Sequence, residues 1–570
     1  MLQLGRRIAL RMGVRAALRL RCLSIALLVV GLLAGAVVPV GAQATRPVVV
    51  GTFGMVASNH PLASMSGMQI LLQGGNAVDA AIATAAALGV VEPYLSGAGG
   101  DGFMMIYWAA TDEIYFLNFT GRAPKALTAA HFGDRIPTRG PLVVLVPGAV
   151  AGWETAIKRF GSMTLHQVLQ PAIQLAENGY PLTQFGEENH RSAQALFLDW
   201  DEAGAQAWWG GNWQPPKLGD IIKNHKLART YRILAEKGAE AFYRGELAEE
   251  IVRFVQKHGG VLTLEDMASY QPRWEEPLHT NYRGIDIYTP RPNSSGGLAV
   301  SQILNIVEGF DLKSMGVNSA DYIHVMVEAI KLAAADRAEW SGDPDFMDVE
   351  IPFDLLLSKD YAAERRALID MNRAMTNVPP GVSQPGTSHV SVVDQFGNMV
   401  SMTVTLGSNW GSGVVAGETG VILNNGILWF ELDPESPAYV EGGKRTRWNM
   451  SPVIASKDGK PFLVLGTPGG DGIWQTLPQV ITKLVDFGMD IQSAIESPRF
   501  RWTIGTLTVR PESRIPQEVL DELAARGHDV QPYPEWTSNV GGVNGIIVDP
   551  ETGAMMGGAD PRRDGYVIGW

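Results

Sequence analysis

The chain has 570 residues, 46 of them basic and 59 acidic, for a formal charge of −13. Its 46% hydrophobic and 18% charged composition excludes a disordered chain and predicts a globular protein with a large core. The acidic excess argues against a nucleic-acid partner, and a single cysteine excludes a disulfide framework.

Taken in chain order, residues 1–42 do not read as part of the fold. Arg6, Arg7, Arg11, Arg15, Arg19 and Arg21 precede the apolar run LSIALLVVGLLAGAVVPV. Val40-Gly41-Ala42 then supplies the small residues that a signal peptidase accepts. The expectation is a signal peptide, removed to leave a periplasmic or secreted protein. A retained signal anchor is the alternative, and Arg6-Arg7 hints at twin-arginine export. Cys22 lies inside this leader, so the exported protein has no thiol for a nucleophile or a metal site. No later run is long and apolar enough to span a bilayer, so no membrane partner is expected after signal removal. The histidines show no H-E-x-x-H or related spacing, and neither a metal nor a cofactor is expected.

From Met55 the text predicts helix through ASMSGMQILLQGGNAVDAAIATAAALGVV, broken at Gly74-Gly75 and continued by an alanine-rich buried segment. Gly97-Ala98-Gly99-Gly100-Asp101-Gly102 matches the dinucleotide fingerprint letter by letter. Here, however, a helix precedes it and the strand FMMIYW follows, the reverse of the order that sets phosphates at a helix N-terminus. These glycines are expected to serve close backbone packing. Between Glu154 and about Glu339 helical patterns dominate, as in LHQVLQPAIQLAENG, LAEEIVRFVQKHGG and SADYIHVMVEAIKLAAADRAEW. From Val390 the character changes: VSVVD, a QFGN turn, MVSMTVTL, GVILN, PFLVLG and NGIIVD predict strands.

The change falls almost at SQPGTSHVSVVD, where Gly386-Thr387 stands at the mouth of a strand. A threonine hydroxyl is a poor nucleophile without a base. If the chain is cut just before Thr387, its own new α-amino group, with an ordinary pKa of about 7.7–8.0, can serve. The same hydroxyl can make that cut by attacking the carbonyl of Gly386, whose lack of a Cβ tolerates a distorted backbone; Pro385 stiffens the approach. On these letters alone a threonine that merely opens a strand is the alternative. Farther on, GTPGGDG (residues 466–472) lies between the strand PFLVL and the helical IWQTLPQVITKLVDFG. Free N–H groups of Gly469 and Gly470 can there point at one oxygen anion, or the loop is a plain strand-to-helix turn.

TSHVSVVDQFGNMVSMTVTL, GSGVVAGETGVILNN, MSPVI and GTPGGDG resemble the small-subunit motifs of the gamma-glutamyltransferase family of N-terminal nucleophile hydrolases. GMVASNHPLAS, GGNAVDAAIATAAALGVVEP, VPGAVAGW, GGVLTLEDMASYQPRWEEPL, YRGIDIYTPRPNSSGGL and DRAEWSGDPDF extend the resemblance upstream, in family order. It implies an α+β fold, the four-layer αββα sandwich with a helix-rich large-subunit portion. It implies a large chain over 43–386 and a small catalytic chain over 387–570, made from one precursor by autoprocessing at Gly386-Thr387. It makes Thr387 the nucleophile and Thr405 the second threonine that orients it, and it gives Gly469 and Gly470 to the oxyanion.

On the substrate side the sequence departs from the family pattern. The arginine expected after a D-F pair is Thr120 here, after Asn118-Phe119, and the nearest arginine is Arg122. After Asn424-Asn425 a glutamine and an aspartate are replaced by Gly426 and Trp429; an asparagine is replaced by Gly407, and a serine pair by Trp448-Asn449. Arg122, Asn425, Trp429 and Asn449 are thus the candidate substrate-binding residues, around a pocket with little charge for an amino-acid head group. Three readings follow. The chain cleaves a small-molecule amide or peptide through an acyl-threonine ester and passes a γ-glutamyl or related group to water or an amine. It is an acylase or small-amide hydrolase without γ-glutamyl specificity. Or it is an inactive binding protein of the same fold. His389, two residues past the nucleophile, is expected to pack or bond locally.

Overall fold

The computed structural model describes residues 44–194, 196, 202–210, 214–376 and 386–570; the leader read at residues 1–42, and Pro385, lie outside the described residues. From Arg46 to Trp570 the chain forms one unit, built on two stacked seven-stranded antiparallel sheets. The first runs in spatial order Tyr566–Gly569, Gly54–Ser58, Ser388–Asp394, Met399–Thr405, Asp101–Trp108, Glu113–Asn118, Arg273–Glu275. The second runs Val49–Gly51, Met555–Ala559, Asn544–Val548, Lys460–Gly466, Val453–Lys457, Ile285–Thr289, Leu278–Tyr282.

The period of two along each strand separates three cores. Met55, Phe103, Met105, Val393 and Met399 of the first sheet meet Ile454, Val464 and Ile546 of the second. The alternate residues Val56, Met104, Ile106, Val390 and Val400 face an outer helical layer that includes Ala77–Val91. Val453, Ala455, Leu463 and Leu465 face the other, with Ser295–Val307, Ala320–Trp340 and Ile473–Val485. The αββα sandwich follows from three buried interfaces between four layers.

Ala77–Val91 is buried along its whole length, as its alanine content predicts. A capping box starts it: Asn76 accepts from the N–H groups of Val78 and Asp79, and Asp79 accepts from the N–H of Asn76 at 3.0 Å. The glycine run after it packs backbone on backbone. A Cβ at Gly100 would lie 2.3 Å from the carbonyl oxygen of Thr405, and one at Gly99 2.1 Å from that of Ile422.

Three expected elements differ. Gly54–Ser58 is a strand inside the first sheet, where helix was expected from Met55; it is buried on both faces and so carries no alternation to read. The helical stretch Glu154–Glu339 is interrupted by strands Arg273–Glu275, Leu278–Tyr282 and Ile285–Thr289, whose outward residues are polar. GVILN forms only the isolated bridge Val415↔Ile422, because Asn424 and Asn425 leave to bond the carbonyls of Gly99 and Leu406.

Candidate active site

Thr387 ends the strand Ser388–Asp394 at its N-terminal mouth, and Thr405 ends the neighbouring strand Met399–Thr405 at the same rim. The antiparallel register that pairs Ser388 with Val404 therefore sets the two threonines side by side, with 3.2 Å between their hydroxyl oxygens. Both hydroxyls donate to the carbonyl oxygen of Gly386, Thr387 at 2.6 Å and Thr405 at 2.5 Å. The N–H of Gly407 in turn donates to the Thr405 hydroxyl at 2.9 Å, leaving its proton free to point at Gly386. Thr387 is only 3% exposed.

Gly386 is pressed against the main chain of Ser408, where a Cβ would lie 2.3 Å from the Ser408 carbonyl carbon. That wall is held by Asn425, whose Oδ1 accepts from the N–H of Ser408 at 2.9 Å. Its Nδ2 donates to the Ser408 hydroxyl at 2.7 Å and to the Thr138 carbonyl at 2.9 Å. Gly407 has φ +102, and a Cβ there would meet Asn425 Oδ1 at 2.3 Å. Asparagine at 407 would be both strained and excluded, which accounts for the departure at that position.

Gly469 and Gly470 lie in the turn between Lys460–Gly466 and the helix Ile473–Val485, with φ +136 and +57. The first N–H groups of a helix have no intrahelical acceptor. One contact sets this loop against the strand Ser388–Asp394, since a Cβ on Gly466 would strike the His389 ring at 2.1 Å, and Gly542 donates to Thr467 Oγ1 at 3.0 Å. Asn59 joins the same two parts, accepting from the N–H of His389 at 2.8 Å and donating to the Gly542 carbonyl at 3.1 Å. His389 is fully buried, pairs with the hydroxyls of Thr403 and Ser391, and is lowered by that burial to a pKa of about 3. A neutral ring with both nitrogens engaged is a packing residue.

Behind Thr387, Arg563 Nη1 donates to the Thr387 carbonyl at 3.3 Å, and Ser388 Oγ donates to Glu92 at 2.8 Å. Glu92 is fully buried. Burial raises its carboxyl, Arg563 and the Ser388 hydroxyl oppose this, and the result is a pKa of about 8.

The candidate substrate-binding residues are not gathered at one point. The Arg122 guanidinium bonds the Gly443 carbonyl at 2.8 Å and Asp345 at 3.0 Å. Asn449 Oδ1 accepts from Arg337 at 2.5 Å and from Ser295 Oγ at 3.1 Å, and Arg337 pairs onward with Asp471 at 3.0 Å, beside Gly470. Trp429 and Trp448, both buried, have ring centroids 6.5 Å apart. Gly426 opposes them, where a Cβ would lie 2.2 Å from Leu145 Cδ1 and 2.9 Å from Trp448 Cζ2.

Sequence reasoning missed Asn59, Glu92, Arg337 and Arg563. Each lies in a quoted or terminal motif, but its meeting with Thr387 or the glycine loop depends on pairing across hundreds of residues. Among the described residues no helix is long and apolar enough to cross a membrane.

The gamma-glutamyltranspeptidase family model matches residues 63–570. The glutathione hydrolase proenzyme of Bacillus subtilis (strain 168) is 36% identical over 595 aligned positions, spanning 96% of this chain and 98% of its own. The acylase ACY 1 proenzyme of Pseudomonas sp. (strain SE83) is 38% identical over 533, spanning 91% and 94%. Among solved structures, the cephalosporin acylase from Bacillus halodurans superposes with a TM-score of 0.87 at 36% identity, covering 93% of this chain and 98% of that one.

Proposed function

Because the chain belongs to the gamma-glutamyltranspeptidase family of N-terminal nucleophile hydrolases, we propose that it is a self-processing amide hydrolase whose nucleophile is Thr387. The observation that carries this reading is the convergence of the Thr387 and Thr405 hydroxyls on the carbonyl of Gly386. In maturation, Thr387 Oγ1 forms a bond to the Gly386 carbonyl carbon, the C–N bond to Thr387 breaks, and the hydroxyl proton goes to the departing amine. Water then opens the ester, leaving a large chain over 43–386 and a small chain over 387–570. The proenzyme names of the relatives support such processing.

The freed α-amine takes the hydroxyl proton during each later turnover. Thr387 Oγ1 attacks the substrate carbonyl, Thr405 orients it, and Gly469 and Gly470 offer N–H donors to the developing oxyanion. The amine product leaves with the proton, and the acyl group passes from the ester to water or to a second amine. The leader supports export of the enzyme.

The acyl group in this reading lacks the charged head of a γ-glutamyl unit. Arg122 is engaged by Asp345, and both polar atoms of the Asn425 side chain and the Oδ1 of Asn449 are spent on the protein. Trp429 and Trp448 stand where the family pattern is polar. The acylases among the relatives agree with this choice.

The test is a denaturing gel with N-terminal sequencing of the smaller fragment. Two fragments, the smaller beginning at Thr387, are expected from the wild type, and one inactive chain from Thr387→Ala. An intact wild-type chain would favour the binding-protein reading. Comparison of kcat/KM on simple acyl anilides and γ-glutamyl anilide then decides the acyl group.

A further inference from the structure

A cavity of about 510 Å³ opens at the far edge of the two sheets, lined by Asn118, Arg291, Asn293, Glu275 and, from the small-chain portion, Arg445. Asn118 belongs to the third strand beyond Ser388–Asp394. At ~4.8 Å per strand it lies ~14 Å from the nucleophile strand. Two of its lining residues are tied together: Asn118 Nδ2 donates to Asn293 Oδ1 at 2.9 Å, and Asn293 Nδ2 donates to Thr120 Oγ1 at 3.1 Å and the Thr446 carbonyl at 2.6 Å.

Accounting for the charges in this cavity leaves two of each sign. Asp345 is taken by Arg122 at 3.0 Å and Arg273 at 2.5 Å. Asp343 accepts the main-chain N–H groups of Arg445 at 2.8 Å and Asp345 at 3.2 Å. The Arg445 side chain is a different matter. The residue is 2% exposed, its Nε and Nη1 have no hydrogen-bond partner, and its Nη2 reaches only the Gln271 carbonyl at 3.5 Å. Arg291 Nε is also without a partner, with its guanidinium carbon 4.8 Å from the Phe353 ring centroid. Glu275 and Glu350 line the same space, and neither forms an ion pair among the described residues, although Glu275 Oε1 accepts from Asn118 Nδ2 at 3.2 Å. Burial pushes the Glu275 carboxyl up, and Arg445 opposes that shift.

A buried guanidinium with two nitrogens lacking an acceptor is costly until an oxyanion meets it. An anion alone would leave the two carboxylates facing it. The remaining lining is apolar: Trp274, Met347, Val349, Ile351 and Phe353. We propose that this cavity binds a free α-amino acid with an apolar side chain, its carboxylate on Arg445 and Arg291 and its ammonium toward Glu275 and Glu350. Neither Thr387 nor Thr405 is among the lining residues, so its test requires none of the acyl chemistry and does not depend on the reading of Thr387.

Three probes of one shape separate the charges: L-phenylalanine, 3-phenylpropionate, which lacks the ammonium, and phenethylamine, which lacks the carboxylate. Calorimetry on the full protein is expected to give L-phenylalanine a Kd at least ~10-fold tighter than either fragment. Arg291→Gln and Glu350→Gln, both at the cavity's accessible side, are each expected to weaken L-phenylalanine by ~10-fold or more while kcat on an acyl anilide stays at the wild-type value. Equal affinity for all three probes, no saturable binding of L-phenylalanine, or competition between L-phenylalanine and the acyl substrate would each overturn the proposal.

Discussion

The hydroxyl of Thr405 lies 2.5 Å from the carbonyl oxygen of Gly386, the residue that precedes the proposed nucleophile Thr387. A donor already on that oxygen stabilises the negative charge that appears there when Thr387 attacks. Thr405→Val removes the donor and orphans the Gly407 N–H, whereas Thr405→Ser keeps both. The precursor of Thr405→Val is expected to split ~10²–10³-fold more slowly than wild type, and that of Thr405→Ser nearly as fast, in a gel time course.

Gly386→Ala places a methyl 2.3 Å from the Ser408 carbonyl carbon, in a residue that Asn425 holds through both its N–H and its hydroxyl. The alanine precursor is expected to fold with a stability loss of ~1–3 kcal/mol and to remain one chain. Rapid processing of Gly386→Ala would show that the scissile carbonyl moves away from Ser408 before attack.

How much of this was legible depends on how far apart the partners lie. The αββα order follows from the family resemblance that many ordered motifs carry together, Thr387 and the glycine loop stand in local motifs, and the Thr387–Thr405 proximity follows from a hairpin of adjacent strands. Gly54–Ser58 misread as helix because a strand buried on both faces has no alternation. Glu92 and Arg563 were invisible because one caps a buried helix and the other lies just before the strand Tyr566–Gly569, and only the folded sheet brings both to residues 387–388.

Glu92 should leave a signature in the pH dependence of stability. Its pKa is raised from 4.5 to about 8, chiefly by burial against the pull of Arg563. The folded state therefore holds a proton that the unfolded state has lost, and stability falls as pH rises between these values. Glu92→Gln keeps the neutral shape without that slope. The melting temperature of Glu92→Gln is expected to gain on wild type from about pH 4.5 to 8 and to run parallel above. A gap independent of pH across this window would refute a neutral Glu92.

Asp560 works in the opposite direction. Burial alone would raise it, but Arg499 at 2.5 Å and Arg562 at 3.1 Å hold its carboxyl at about 2. Its contribution is complete above its ordinary value of 3.8 and is lost as pH falls toward 2. Because Arg562 is fixed by Asp560 and Glu512, the next residue, Arg563, is presented to the Thr387 carbonyl. Asp560→Asn is expected to cost ~3–5 kcal/mol by leaving buried guanidinium groups uncompensated, and to lower kcat in the protein that still folds. Denaturant unfolding and a turnover assay at neutral pH read the two effects separately.

The pair Trp429 and Trp448 provides the test of acyl specificity. Where the family pattern has an aspartate for an ammonium and a serine beside it, this chain has two buried indoles with ring centroids 6.5 Å apart. A γ-glutamyl head group would bring a charge against them with no partner, a desolvation cost of ~1–3 kcal/mol or more. Gly426→Gln cannot repair this by itself, since its Cβ would meet Leu145 and Trp448. Trp429→Asp combined with Trp448→Ser supplies a carboxylate and removes both indoles. The double variant is expected to shift the ratio of kcat/KM for γ-glutamyl anilide over a simple acyl anilide by ~10-fold or more toward the former. An unchanged ratio would mean that the head group is read elsewhere, and that the two indoles are packing residues.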